Sequence, residues 1–316
     1  MDSPSNGSSD TPLAVAASSS AADTQSATRS VGAVLWDYAV LAKPEISSVV
    51  TLSAFAGFLL GAPAGLDGWV LLWTLLGVAL CAGGVGVLNQ VFERRFDAQM
   101  QRTAARPLPA GRVDPDVARR IGILMVCASV GLLCPLVNAL TAVLAALTAA
   151  LYLFVYTPLK RKTKWNTLVG TVPGALPALG GYTAATGHLG PGGWSIFGIL
   201  ACWQMPHFLS LAWMYRKDYA RGDYAMLPVV EPDGDSTAAQ MIGFAALLVP
   251  VSLLPALVGS ASWIYGVAVL PLGLWFLATT IVFQGERTGQ KAKRVLKASV
   301  LYIPALVGIL MVDWFI

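Results

Sequence analysis

Asn89, Glu93 and Asp97 stand four residues apart, so on a helix they form one stripe with about 6 Å between successive positions. An amide oxygen and two carboxylates aligned in this way are hard oxygen ligands of the kind Mg²⁺ accepts, with waters and a substrate phosphate completing its octahedron. Arg102 and Arg106 follow closely and carry forked donors suited to a diphosphate. The same residues also suit a solvated helix end, with Glu93 and Asp97 paired to Arg94 and Arg95. A second acidic segment holds Asp218 and Asp223, five residues apart and about 140° around an ideal helix. Gly222 between them can turn the backbone and bring the two together. A third segment, Tyr156 to Asn166, carries Lys160, Arg161, Lys162 and Lys164. Beside two acidic segments it suits a bound polyanion, although four basic residues are also an ordinary topology signal. Tyr156 and Lys160, one helical turn apart, are the pair we expect at a site.

His207 is the one histidine placed within an apolar span, in the segment WQMPHF, where Pro206 removes a backbone hydrogen bond. A hydrogen-bonded core histidine and a ligand are both open readings. Glycines recur ahead of the first stripe (Gly83, Gly84, Gly86) and again at Gly170, Gly174, Gly180 and Gly181. They provide close helix packing or room for a bulky ligand. Cys81, Cys127, Cys134 and Cys202 lie in apolar runs without a CxxC pair, so neither a disulfide frame nor a thiolate metal site is expected.

The elements that must position these side chains are membrane helices. Of the 316 residues, 56% are hydrophobic and 12% charged, against roughly 25% charged in a soluble domain. Uncharged runs cover 46–66, 68–92, 121–159, 165–215, 236–285 and 298–312. A helix needs roughly 20 residues to cross the hydrocarbon core, so the three longest runs hold two spans each and the total is nine. The breaks are expected near 135–138, 187–193 and 258–262, where Pro and Gly interrupt the pattern. Long uncharged runs exclude a β-barrel, whose strands would alternate in polarity. Every Lys and Arg falls in the N-terminal part, 93–120, 160–164, 216–221 or 287–297. The positive-inside rule then puts the N-terminus and all the large loops in the cytoplasm and the C-terminus outside. Residues 1–30, rich in Ser, Ala and Thr, read as a disordered cytoplasmic tail ahead of a single membrane domain, 31–316.

Four stretches carry a resemblance: NQVFERRFDAQMQRTAARPLPAG from Asn89, YTPLKRKTKWNTLVGTVPGALPALGGY from Tyr156, WQMPHFLSLAW from Trp203 and DYARGDYAMLPV from Asp218. In these the chain resembles the UbiA-type membrane prenyltransferases, and more narrowly the branch that farnesylates protohaem. The resemblance implies an all-α integral membrane bundle with a central cavity open to the cytoplasmic face of a bacterial inner membrane. It places Asn89, Glu93, Asp97 and Asp218 at the Mg²⁺ and diphosphate positions, and Arg102, Arg106, Tyr156, Lys160 and Arg161 near the diphosphate. His207 matches the histidine of the family's PHF segment, with a haem contact as its hypothesised role. Asp223 departs from the Gly common there, and Glu93 replaces the Asp of many quinone-type relatives. The implied reaction joins the farnesyl group of farnesyl diphosphate to a vinyl group of haem B, giving haem O. Haem B is then substrate rather than resident cofactor. A haem A synthase or a haem-copper oxidase is a candidate partner, and no nucleic acid is expected.

Two rival readings remain open. One keeps the chemistry and exchanges haem for a quinone precursor or another aromatic acceptor. The other is a secondary transporter, which would place charges or broken helices at the midplane rather than crowd them at one face.

Overall fold

The computed structural model describes residues 30–62 and 65–316, and among them every regular element is helical. The expected tail therefore lies outside the described residues, apart from its last residue. The order is α1 (Val31–Leu41), α2 (Pro44–Gly61), α3 (Gly68–Asp97), α4 (Pro115–Leu136) and α5 (Ala139–Ala150). A π-helical segment (Leu151–Tyr156) and α6 (Thr157–Leu159) continue α5. There follow α7 (Asn166–Thr186), α8 (Pro191–Met214), α9 (Arg216–Arg221), α10 (Leu227–Val230), α11 (Asp235–Val251), α12 (Leu254–Leu257), α13 (Trp263–Gly285) and α14 (Gly289–Phe315).

Eight helical stretches are long and apolar enough to cross a membrane. α7, where a ninth span is expected, is a helix of 21 residues that is not among the eight, its Gly, Pro and Thr residues diluting its hydropathy. The breaks fall where Pro and Gly predict them. Asn138 caps α5 by accepting from the Thr141 N–H, Pro191 opens α8 and Ser262 caps α13. Pro135, Pro173, Pro177, Pro206, Pro250, Pro271 and Pro304 all sit inside helices, which a lipid solvent tolerates when neighbours satisfy the freed carbonyls.

Consecutive helices are neighbours around a ring, and α14 returns to pack on α2 and α8. Asp313 at the end of α14 accepts the N–H groups of Ser262 and Tyr265, and the Trp314 indole donates to the Ala62 carbonyl, which fastens the closure. α2, α7 and α8 lie toward the centre, and α8 is the most enclosed of the eight spans. Leu124, Val143, Phe154, Leu274, Val300 and Leu301 point outward from the outer helices. An apolar exterior of that extent is the surface of a protein dissolved in lipid.

Between α2, α3, α5 and α7 the ring leaves a largely apolar cavity, whose empty space with its open mouth included is about 800 Å³. Lys43 and Tyr152 stand at one end of it, and Val78, Thr141 and Gly180 at the other.

Candidate active site

The charged end of the bundle is built on the last turns of α3. Asn89, Glu93 and Asp97 share one face there, and all three are buried, Asn89 to 1% and Asp97 to 2% of full exposure. A carboxylate desolvated to that extent needs a cation, and each has one. Lys160 donates to Glu93 Oε1 at 2.9 Å, and Arg106 donates to Asp97 Oδ2 at 2.9 Å. Lys43 donates to Asn89 Oδ1 at 3.0 Å, while the Asn89 amide NH₂ donates to Thr157 Oγ1 at 3.4 Å. Asp218, also buried, accepts the Gln101 N–H at 3.1 Å and pairs with Arg221. That set, Arg221 foremost, holds its carboxyl below the usual carboxylate range.

The pairing of Glu93 and Asp97 with Arg94 and Arg95 is not what forms. Arg94 folds back onto the Val91 carbonyl of its own helix. Arg94 and Arg95 lie one and two steps from Glu93, about 100° and 200° around the helix from it, and Arg94, although three residues from Asp97, is taken up by its own backbone. The loop after α3 instead carries Arg106 back over Asp97, with Thr103 Oγ1 donating to the Asp97 carbonyl.

Tyr156 and Lys160 come together as expected, and the π-helical segment presents Tyr152 with them. The Lys160 ammonium lies 4.6 Å from the centre of the Tyr156 ring and 5.6 Å from that of Tyr152. Burial works to lower its pKa, but the Glu93 charge together with Tyr152, Tyr156 and Tyr224 outweighs that and raises it well above the ordinary lysine value. Arg102 rests on the Tyr215 ring at 5.0 Å, and Arg161 on the Phe96 ring at 3.9 Å. These two guanidiniums fringe the site.

Gly222 does not bring Asp223 to Asp218. Gly222 keeps an ordinary negative φ, and the left-handed turn falls on Asp223 itself, at φ 57°. The Asp223 side chain is 82% exposed and reaches only Arg161, at 3.7 Å. His207 also stands apart from the cavity lining, stacked on Trp203 with Nδ1 2.8 Å from Ser299 Oγ on α14.

Two residues that the sequence reading passed over belong here. Lys43 precedes the first span and adopts φ 48°, an uncommon conformation for a lysine, which aims its amine at Asn89 and the cavity mouth. Burial, and then Arg106, lower its pKa from 10.5 to about 7. The Lys-Pro step directly before an apolar run was the available signal. Tyr224 is buried and hydrogen-bonds Glu93, and burial raises its pKa.

Among the described residues no three Asp, Glu, His or Cys side chains converge on one point. The donor set fits Mg²⁺ in its usual form, held by one or two carboxylates with substrate phosphate and water, rather than in an all-protein cage. The glycines divide between both of their expected uses. A Cβ on Gly84 would meet the Gly122 carbonyl at 2.9 Å and one on Gly181 would strike the Ala54 carbonyl, whereas Gly86 and Gly180 line the cavity; Gly174 does both, lining the cavity while packing against the Gln204 side chain.

Residues 50–302 match the profile of the UbiA prenyltransferase family. A protoheme IX farnesyltransferase of Salinibacter ruber is 84% identical over 283 residues, covering 90% of this chain and 100% of that relative. The protoheme IX farnesyltransferase of Solibacter usitatus is 44% identical, covering 88% and 98% respectively. In the solved structures, a UbiA homologue from Aeropyrum pernix K1 superposes with a TM-score of 0.69 at 19% identity, over 85% of this chain and 98% of that one. A UbiA homologue from Archaeoglobus fulgidus, bound to DMAPP and Mg²⁺, gives 0.63 at 18% identity, over 87% and 99%. The profile match spans most of the chain and both relatives are covered almost end to end: the chain belongs to the UbiA prenyltransferase family.

Proposed function

We propose that this protein transfers the farnesyl group of farnesyl diphosphate to a vinyl group of haem B, producing haem O. The observation that carries the chemistry is the ionic cluster at the mouth of an apolar cavity. Glu93, Asp97 and Asp218 are each paired with a side-chain cation, and Lys43 and Tyr152 join the Asn89–Glu93 part of the cluster to an apolar space. The acceptor rests on the likeness to protoheme IX farnesyltransferases over nearly the whole chain. We read the cluster as cytoplasmic, with α7 completing nine spans and the C-terminus outside. The WQMPHF segment argues against a quinone precursor as acceptor, and the crowding of charge at one end argues against a transporter.

Asn89, Glu93, Asp97 and Asp218 are the residues that would supply ligands to Mg²⁺, one or two carboxylates to an ion. Once bound, the metal neutralises the diphosphate and stabilises the charge that develops as the allylic C–O bond breaks. Lys160 and Arg106, which now pair with Glu93 and Asp97, are the cations that would face the phosphate oxygens were those carboxylates to hold the metal, while Lys43 already faces the mouth. Arg102 and Arg161 complete the cationic rim around the leaving group. The Tyr152 ring lines the cavity beside them, where its face favours positive charge on the allylic carbon. Val78, Val85, Leu144 and Leu176 keep the prenyl chain dry until the vinyl carbon attacks. The resulting cation beside the porphyrin takes up water and loses a proton to give the hydroxyethylfarnesyl group. A haem A synthase or a haem-copper oxidase would take the product.

The test offers haem B and 4-hydroxybenzoate together with farnesyl diphosphate and Mg²⁺. The proposal expects farnesylated haem alone, and neither product once the metal is chelated. Prenylated 4-hydroxybenzoate with unmodified haem would transfer the function to the quinone-type acceptor.

A further inference from the structure

We propose that the far end of the cavity, where Gly180, Val78 and Thr141 meet, selects a donor of three isoprene units by length. This rests on the prenyltransferase reading and names the residues that fix its donor. On α3 the lining residues Val78, Cys81, Ala82, Val85 and Gly86 form one helical stripe, which at 1.5 Å per residue spans about 12 Å. Along α5 and into the π-helical segment that continues it, the lining runs from Thr141 to Tyr152, about 16 Å by the same rise. That depth, measured from the ionic mouth, is the reach of an extended farnesyl chain.

The far end is closed by hydrogen bonds rather than by loose packing. Thr141 Oγ1 lies 3.0 Å from Thr183 Oγ1, and Thr183 donates to the Gly180 carbonyl at 3.0 Å. Asn138 Nδ2 donates to the Thr183 carbonyl at 2.9 Å. A fourth isoprene unit would have to break this polar plug, and a two-unit donor would leave the end unfilled.

Two adjacent glycines separate packing from ligand space. A Cβ on Gly181 would strike the Ala54 backbone, which explains that glycine by helix contact alone. A Cβ on Gly180 meets nothing within 4 Å although the residue is buried, so the space beside it belongs to the cavity.

Gly180→Leu therefore fills the far end without disturbing the backbone. Turnover and equilibrium binding are measured with geranyl and farnesyl diphosphate in Mg²⁺, for wild type, Gly180→Leu and Gly243→Leu. Gly243 is an exposed α11 residue with equally open space around it, outside the cavity. The proposal expects the farnesyl-to-geranyl ratio, in kcat/KM and in affinity, to fall at least tenfold in Gly180→Leu, the scale of a methylene-sized steric discrimination. Gly243→Leu should keep the wild-type ratio. An unchanged binding ratio, or a parallel loss for both donors, overturns the proposal. A shifted binding ratio in a protein that leaves haem unmodified upholds the length selection and overturns the haem reading instead.

Discussion

Lys160→Met isolates what the buried ion pair contributes to stability from what it contributes to chemistry. Glu93 and Lys160 meet at 2.9 Å with side chains only 11% and 13% exposed. Removing one member of such a pair strands the other charge, at a cost of about 3–5 kcal/mol. Lys43 also acts on Glu93, which places the expected loss near the lower bound, about 3 kcal/mol. At roughly 2–4 °C per kcal/mol, the metal-free protein in detergent should melt about 6–12 °C lower. The double variant Glu93→Gln/Lys160→Met removes both charges and retains similar volume, so its melting temperature should return to within a few degrees of wild type. Its turnover should stay roughly a hundredfold or more below wild type, because the groups that answer charge in the transition state are gone. The assay pairs thermal unfolding with haem O formation on the same preparations. A Lys160→Met protein as stable as wild type, or a double variant with normal turnover, would refute the reasoning.

Asp97→Asn should remain folded, since the amide still accepts from Arg106, while turnover drops roughly a hundredfold; near-normal kcat/KM would remove Asp97 from the metal site. For His207→Ala we expect weaker haem binding with farnesyl diphosphate affinity kept, read by spectroscopic titration and calorimetry. Unchanged haem affinity would leave His207 as a packing partner of Trp203 and Ser299. Lys43 titrates near 7 in the metal-free fold and at 10.5 in the open chain, so between those values the unfolded state holds more protons. Its contribution therefore makes stability rise with pH across that window and level off below about 7. Lys43→Met should flatten the rise, and an identical pH profile in the variant would count against the burial of that amine.

The helices were legible because uncharged runs in a lipid solvent leave little choice of element, and the α3 stripe because three polar residues at a spacing of four must share a face. α7, expected as a ninth span, does not reach the apolar character of the other eight, since its glycines and prolines serve contacts with α2 and the cavity and dilute the apolar signal. Partner choice was not legible. Arg94 and Arg95 are adjacent in sequence but point around the helix, while Arg106 reaches Asp97 only through the intervening loop. Nor does local pattern reveal that Lys43 takes a left-handed turn, or that Asp223 rather than Gly222 makes the turn after α9. The π-helical segment is likewise set by tertiary fit, with Gly170 making room for the Tyr156 ring.

The most direct test of the central claim is the mass of the porphyrin after the purified protein has been incubated with Mg²⁺, haem B and farnesyl diphosphate in ¹⁸O-labelled water. The account predicts haem enlarged by one farnesyl group and one hydroxyl, the hydroxyl carrying the label. Haem of unchanged mass, from a preparation that still binds farnesyl diphosphate, would contradict it.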